Sequence, residues 1–145
     1  MQELDPISRR AIGAKIRREV LGDTYVKVGD APPTLFDEMF LEFTEDFCWG
    51  NVWNREQLSR PLRSMLNLAM LAVMGRWHEF EVHALGAINN GVSDAEIAEV
   101  LLQAGVYAGV PIAAEGLRRA KDVIAKYRPA NQSGATTNSH LPVGV

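Results

Sequence analysis

An all-α domain is what the sequence predicts, and three observations predict it. Apolar residues recur at helical spacing along most of the chain, as in Ile12, Ile16, Val20 and Leu21. No run alternates polar and apolar residues with the period of two that a half-buried strand requires. Helix-start and helix-stop residues stand where the apolar rows begin and end. With 145 residues the chain reads as one domain long enough to bury a core. A hydrophobic fraction of 47 % argues against disorder of the whole.

The first helix opens at Asp5-Pro6, an N-cap followed by proline at the first helical position, and stops at Gly22. Pro32-Pro33-Thr34 punctuates the chain before a second amphipathic helix carrying Leu35, Phe36, Met39, Phe40, Phe43 and Phe47. Trp49-Gly50-Asn51-Val52-Trp53-Asn54-Arg55 reads as a turn-rich connector and holds two of the three tryptophans. A long central helix is expected from about Pro61 to about Asn89, where Asn90-Gly91 supplies a left-handed exit. Ser93-Asp94-Ala95-Glu96 is a capping box. The helix it opens carries Ile97, Val100, Leu101 and Ala104 on one side, with Glu99, Gln103 and Val106 beside them. Gly109 and Pro111 break that helix, and a last one runs to about Tyr127.

The helical domain is therefore expected over residues 1–128, followed by a polar, small-residue tail at 129–145. Composition does not support a fold in that tail. A neighbouring subunit is expected to hold it, and His140 within it is expected to be incidental.

A net charge of −3 leaves no electrostatic footprint for nucleic acid or an anionic membrane surface. The single cysteine, Cys48, excludes an intrachain disulfide and a CxxC redox pair, and reads as a small buried hydrophobe. The charged N-terminal stretch has no apolar core of a signal peptide. The longest apolar stretch, Leu68 to Met74, is far too short to span a bilayer. A cytoplasmic location is expected.

Glu79 and His83 stand four residues apart on the central helix, which puts both side chains on one face about one turn apart. A carboxylate at that distance can fix an imidazole's tautomer and hold its other nitrogen ready for proton transfer. One helical row runs Met65, Leu68, Ala72, Arg76, Glu79, His83 and Gly86, passing from apolar to ionisable. Its neighbour runs Leu66, Ala69, Val73, Trp77, Phe80, Ala84 and Ile88 and is apolar almost throughout. Ionisable groups bordering a core-facing stripe suggest a pocket wall. Spacing alone leaves open a solvated Glu–His pair on a helix edge. His78 and Glu81 are expected to point away, since each lies about 100° round the helix from its neighbour. A zinc site from His78, His83 and nearby carboxylates has poor ligand spacing, so no metal is expected.

Trp49 to Arg55, Leu62-Arg63-Ser64, Glu79-x-x-x-His83, Asn89-Asn90-Gly91-Val92, Glu99-Val100-Leu101 and Tyr107-Ala108-Gly109-Val110-Pro111 occur in the order seen in carboxymuconolactone decarboxylases. Arg17-Arg18-Glu19-Val20-Leu21-Gly22 is similar to that family's opening helix, so the resemblance covers about residues 8–127. It implies an alkylhydroperoxidase-type all-α fold, assembled as a homo-oligomeric trimer or hexamer. Peroxidase members of that superfamily carry a CxxC ahead of the helix histidine. Here those positions are Arg76 and Glu79, so thiol chemistry is not available.

The implied activity is a cofactor-independent decarboxylation in aromatic-compound catabolism, of the 4-carboxymuconolactone (β-ketoadipate pathway) type. In that lactone a double bond conjugated to the carbonyl accepts the electron pair that departing CO₂ leaves. The protein must then stabilise an oxyanion, deliver one proton and expel water. By resemblance His83 carries the proton, with Glu79 orienting and charging it. Arg63 suits a clamp on a substrate carboxylate, Trp49 and Trp53 apolar walls with Arg55 nearby, and Glu99 a substrate contact. The alternatives are core burial for the tryptophans, a surface or subunit contact for Arg63, and an arginine partner for Glu99.

Three positions depart from the family pattern: Pro61 with Leu62 ahead of Arg63, Leu85 two residues after His83, and Ala114 after Pro111. Polar groups expected there have become apolar or rigid. A less polar substrate, handled by a related decarboxylation, isomerisation or dehydration, is the expectation they raise. A non-catalytic helical oligomer that binds small molecules stands as the second reading.

Overall fold

The computed structural model describes residues 5–26 and 32–128, so the expectations for the 129–145 tail and His140 lie outside the described residues. All regular structure among the described residues is helical. α1 spans Pro6–Leu21, α2 Asp23–Val26, α3 Leu35–Phe43, a π-helix Thr44–Trp53, α4 Arg60–Val73, α5 Trp77–Asn89, α6 Asp94–Ala108 and α7 Val110–Tyr127. None of these helices is long and apolar enough to cross a membrane.

Local chemistry explains most of the ends. The Asp5 carboxylate accepts the free N–H groups of Ile7 and Ser8 at the start of α1, and Gly22 closes it with φ 82°. Ser93 and Glu96 form the reciprocal capping box expected at the start of α6. Gly109, at φ 111°, divides α6 from α7.

Two expectations are corrected. The central helix is not continuous: α4 and α5 are separated by Met74, Gly75 and Arg76. Gly75 adopts φ 65°, the Arg76 N–H donates to the Leu71 carbonyl at 2.9 Å, and the Gly75 N–H donates to that of Ala72 at 3.0 Å. This pair of bonds is the Schellman ending, which satisfies the last carbonyls of α4 and turns the chain back. α5 then packs against α4, burying Leu68, Ala72, Phe80 and Ala84 with Ile97 and Leu101 of α6 and Ala120 and Val123 of α7. The residue rows read along one long helix are therefore split between two.

The second correction concerns Trp49 to Arg55, which is not a turn-rich connector. Helical winding continues past Phe43 as a π-helix through Trp53, and the turn begins only at Asn54. α1 lies against this π-helix with the two backbones touching. A Cβ built on Gly13 would fall 1.8 Å from the Glu45 carbonyl oxygen, and one on Gly50 would fall 2.4 Å from that of Arg9. The Arg9 guanidinium donates to the Asp46 carboxylate across the same contact. A second core cluster forms there from Ile16, Val20, Leu21, Trp49 and Trp53, with Cys48 and Val82 packed against it. The Asn89 amide donates to the Val20 carbonyl at 2.8 Å and ties this cluster to α5.

The aromatic face that runs from α3 into the π-helix is not covered by the described residues. Phe36 is 82 % exposed, and Phe40, Phe43 and Phe47 are exposed as well.

Candidate active site

His83 is half-buried on α5, where three elements converge on its ring. The π-helix contributes Trp49 and Trp53, whose rings lie 6.3 and 6.4 Å from the imidazole and within 16° and 20° of its plane. The two indoles are themselves 4.8 Å apart and both are buried. α4 contributes Asn67, with the amide Nδ2 3.3 Å from His83 Nδ1. In one continuous helix, Asn67 and His83 would stand about 24 Å apart. The break at Gly75 is what brings them together.

Apolar walls make charge on the ring costly. Burial pushes the His83 pKa down to about 4, against the smaller opposing effect of the Glu79 carboxylate. At neutral pH the empty site therefore holds a neutral imidazole. Folding stability follows from the same shift. The folded ring takes up its proton only near pH 4, whereas the unfolded one does so below about 6.5. The stabilising contribution is present above about pH 6.5 and is lost as pH falls from there towards 4, by up to about 3 kcal/mol. Denaturant midpoints measured between pH 7 and pH 4 should show this decline, and His83→Gln should flatten it. A wild-type curve no steeper than that of the variant would contradict it.

Glu79 does not hold the ring as expected. Its side chain is exposed, the hydrogen bond at Nδ1 goes to Asn67, and Glu79 reaches the ring only through its charge. The ring turns inward to the tryptophans while the carboxylate stays at the solvent edge of α5. Arg63 lies one turn before Asn67 on α4. Its Nη2 donates to the Arg55 carbonyl at 3.1 Å, and its Nε is buried with no partner, the one such side-chain atom among the described residues. A buried N–H without an acceptor costs about 1–3 kcal/mol, so this donor gains from any acceptor brought to it. Arg55 meets Arg63 through its backbone, and its own side chain is exposed beside Trp53 and Arg60. Glu99 stands apart within the subunit. It is exposed on α6 and lines an apolar groove with Leu62, Leu66 and Met70, so it is not among the groups around His83.

His78 and Glu81 do face elsewhere, lining a cleft between α5 and α7 in which Glu81 accepts from Arg119 at 2.5 Å. Leu85 lines that same cleft and Ala114 is exposed on α7, so neither stands beside His83 within the subunit. Cys48 is half-buried, and burial raises its thiol pKa. Asn67 was missed by sequence reasoning. The available signal was an amide inside the otherwise apolar run Met65-Leu66-Asn67-Leu68-Ala69.

The sequence model of the carboxymuconolactone decarboxylase family matches residues 38–122. That span includes the π-helix, α4 and α5, and with them every residue placed around His83. A nitrosuccinic acid decarboxylase of Metarhizium robertsii is 39 % identical over 115 residues, covering 78 % of this chain and 80 % of the relative. A 4-carboxymuconolactone decarboxylase of Acinetobacter baylyi is 35 % identical over 111 residues, covering 77 % of this chain and 83 % of the relative. Family pattern and relatives agree over most of the helical domain, and the chain belongs to the carboxymuconolactone decarboxylase family.

Proposed function

We propose that this protein is a cofactor-independent carboxy-lyase. Its substrate is a small dicarboxylic acid whose departing carboxylate sits next to an electron sink. The observation that carries this reading is a neutral imidazole packed against two indoles and an amide, with a buried guanidinium N–H that lacks an acceptor one helical turn before that amide on α4. The two relatives are named for acids that meet the same description. Nitrosuccinic acid offers a nitro group as the sink, and carboxymuconolactone offers a conjugated lactone carbonyl. Loss of CO₂ leaves the electron pair on oxygen, as a nitronate or a dienolate, and the reaction finishes when carbon takes a proton.

Each residue then has a task. Arg63 binds the carboxylate that stays, through the N–H that is otherwise unpaired. Trp49 and Trp53 keep water from the one that leaves, and a charge that spreads out in the transition state gains from that dry wall. A bound carboxylate beside His83 offsets the cost of burying its charge, so substrate entry draws a proton onto the ring. The imidazolium faces the developing oxyanion and then gives its proton to carbon. With CO₂ gone the ring returns to its neutral state. Glu79 supports the charged ring from the solvent edge.

A panel of nitrosuccinic acid, 4-carboxymuconolactone and related ring-cleavage acids, assayed for CO₂ release, tests the reading. At least one should turn over with kcat/KM of about 10⁴ M⁻¹s⁻¹ or higher. Loss of substrate absorbance without CO₂ would instead mark an isomerase or dehydratase. The less polar substrate suggested by Leu85 and Ala114 gains no support from their positions within the subunit.

The proposal extends to the assembly, an alkylhydroperoxidase-type trimer or hexamer. The exposed face of Phe36, Phe40, Phe43 and Phe47 and the apolar groove of about 750 Å³ between α4 and α6 are apolar surface that a second subunit would bury. Sedimentation at micromolar concentration should return a mass several times the 16.0 kDa of one chain. A clean monomer would end this part of the proposal.

A further inference from the structure

We propose that Asn67 sets the resting tautomer of His83: its amide N–H donates to Nδ1 and keeps the ring hydrogen on Nε2, so that the proton drawn in with substrate adds at Nδ1, the amide turns to accept from it through Oδ1, and the Nε2 hydrogen is the one given to carbon. The role of Nε2 rests on the decarboxylase reading above, and the tautomer itself does not.

The argument begins with donors and acceptors. An amide nitrogen carries two hydrogens and no available lone pair, so it can only donate. Asn67 Nδ2 is 3.3 Å from His83 Nδ1, so Nδ1 receives that hydrogen through its lone pair. A neutral imidazole has one N–H in total, which leaves the hydrogen on Nε2. The site keeps this ring neutral when empty, so a defined tautomer, and not a cation, meets the incoming acid. Asn67 is half-buried on α4, and its amide would lose free energy there without a partner.

The groups around the ring leave Asn67 to make this choice. From α5, Glu79 acts through charge and makes no hydrogen bond to the ring. From the π-helix come two indoles and the Cys48 thiol, which burial keeps protonated. α1 meets this cluster through Ile16, Val20 and Leu21. On α7, Arg119 is engaged by Glu81 and Glu115. Arg63 of α4 can only donate, so it cannot take a hydrogen from Nδ1. Asn67 is thus a positioning residue. It orients the ring nitrogen that works and does not itself touch the reacting carbon.

Long-range ¹H–¹⁵N correlation spectra of the ¹⁵N-labelled full chain read the tautomer directly, with His83 assigned by the signals missing from His83→Gln. At pH 7 the wild-type ring should show a lone-pair Nδ1 and a protonated Nε2. In Asn67→Asp the new carboxylate accepts from Nδ1–H, so Nδ1 should become protonated and the ring's midpoint should rise from about 4 to above 6. Asn67→Leu should leave the two nitrogens averaged. The fall of kcat/KM on the basic side of the ring's midpoint should move to higher pH with it in Asn67→Asp, a change that mere loss of packing would not produce. A wild-type ring protonated at Nδ1 would overturn the assignment, and that measurement requires no variant to fold. An unchanged ring in Asn67→Leu would overturn it too. A tautomer that responds as expected, in a chain that decarboxylates no acid of the panel, supports the assignment and removes the function.

Discussion

Replacing His83 with alanine should lower turnover on any accepted acid by about 10²-fold or more, the size expected when a general acid–base group is removed. The loss should fall mainly on kcat. On the proposed mechanism Arg63 and the tryptophans would still bind the acid, but no group would deliver the proton to carbon. His83→Gln should lose as much, because glutamine keeps hydrogen-bonding capacity and has no titratable proton. Steady-state assays of CO₂ release, with circular dichroism to show that the variant is folded, decide the matter. A folded His83→Ala with wild-type kcat would remove this residue from the chemistry and leave the site as a binding pocket.

The largest effect on stability is expected at Gly13. A methyl group there meets the backbone oxygen of Glu45 at 1.8 Å, and no rotamer change can relieve a contact with backbone. α1 would have to lift from the π-helix and open the cluster of Ile16, Val20, Trp49 and Trp53. Gly13→Ala should therefore cost about 3 kcal/mol or more. The apparent melting temperature should fall by about 10 °C. Gly50→Ala should behave similarly, since it meets the Arg9 carbonyl from the other side. Gly75→Ala is the contrast. Its φ of 65° is unfavourable for alanine, but open space surrounds the position, so a loss of about 1 kcal/mol is expected. Equal melting temperatures for Gly13→Ala and Gly75→Ala would show that the close approach is not rigid. Because α1 backs the two tryptophans, a partly folded Gly13→Ala should also lose activity without any change at His83.

What the sequence determined by itself was local. The helical class, the start of α1 at Asp5-Pro6, its stop at Gly22, the Ser93–Glu96 box and the division at Gly109 all came from neighbouring residues, because caps and stops are interactions a few residues long. The family was legible for a different reason: short stretches in a fixed order survive in the sequence whatever the fold does with them. Through that resemblance Trp49 and Trp53 were singled out as apolar walls. The Asn67 contact, the exposed Glu79 and the displaced Glu99 were not foreseen.

Those three were decided by tertiary structure, and Gly75 shows why. The apolar spacing of Leu66, Ala69, Val73, Trp77 and Phe80 continues across it as it would in a single helix. A glycine inside a helix costs only about 1 kcal/mol, so the local signal cannot separate a tolerated residue from a break. What settles it is the burial of Leu68, Phe80 and Ala84 when α5 folds back on α4, a gain that exists only between helices. The same holds for the π-helix, whose winding accompanies a backbone contact with α1 that no stretch of either segment encodes alone. Residues one helical turn apart are neighbours by geometry, so Glu79 and His83 were easy to pair. Asn67 and His83 are 16 positions apart and became neighbours only when the chain reversed.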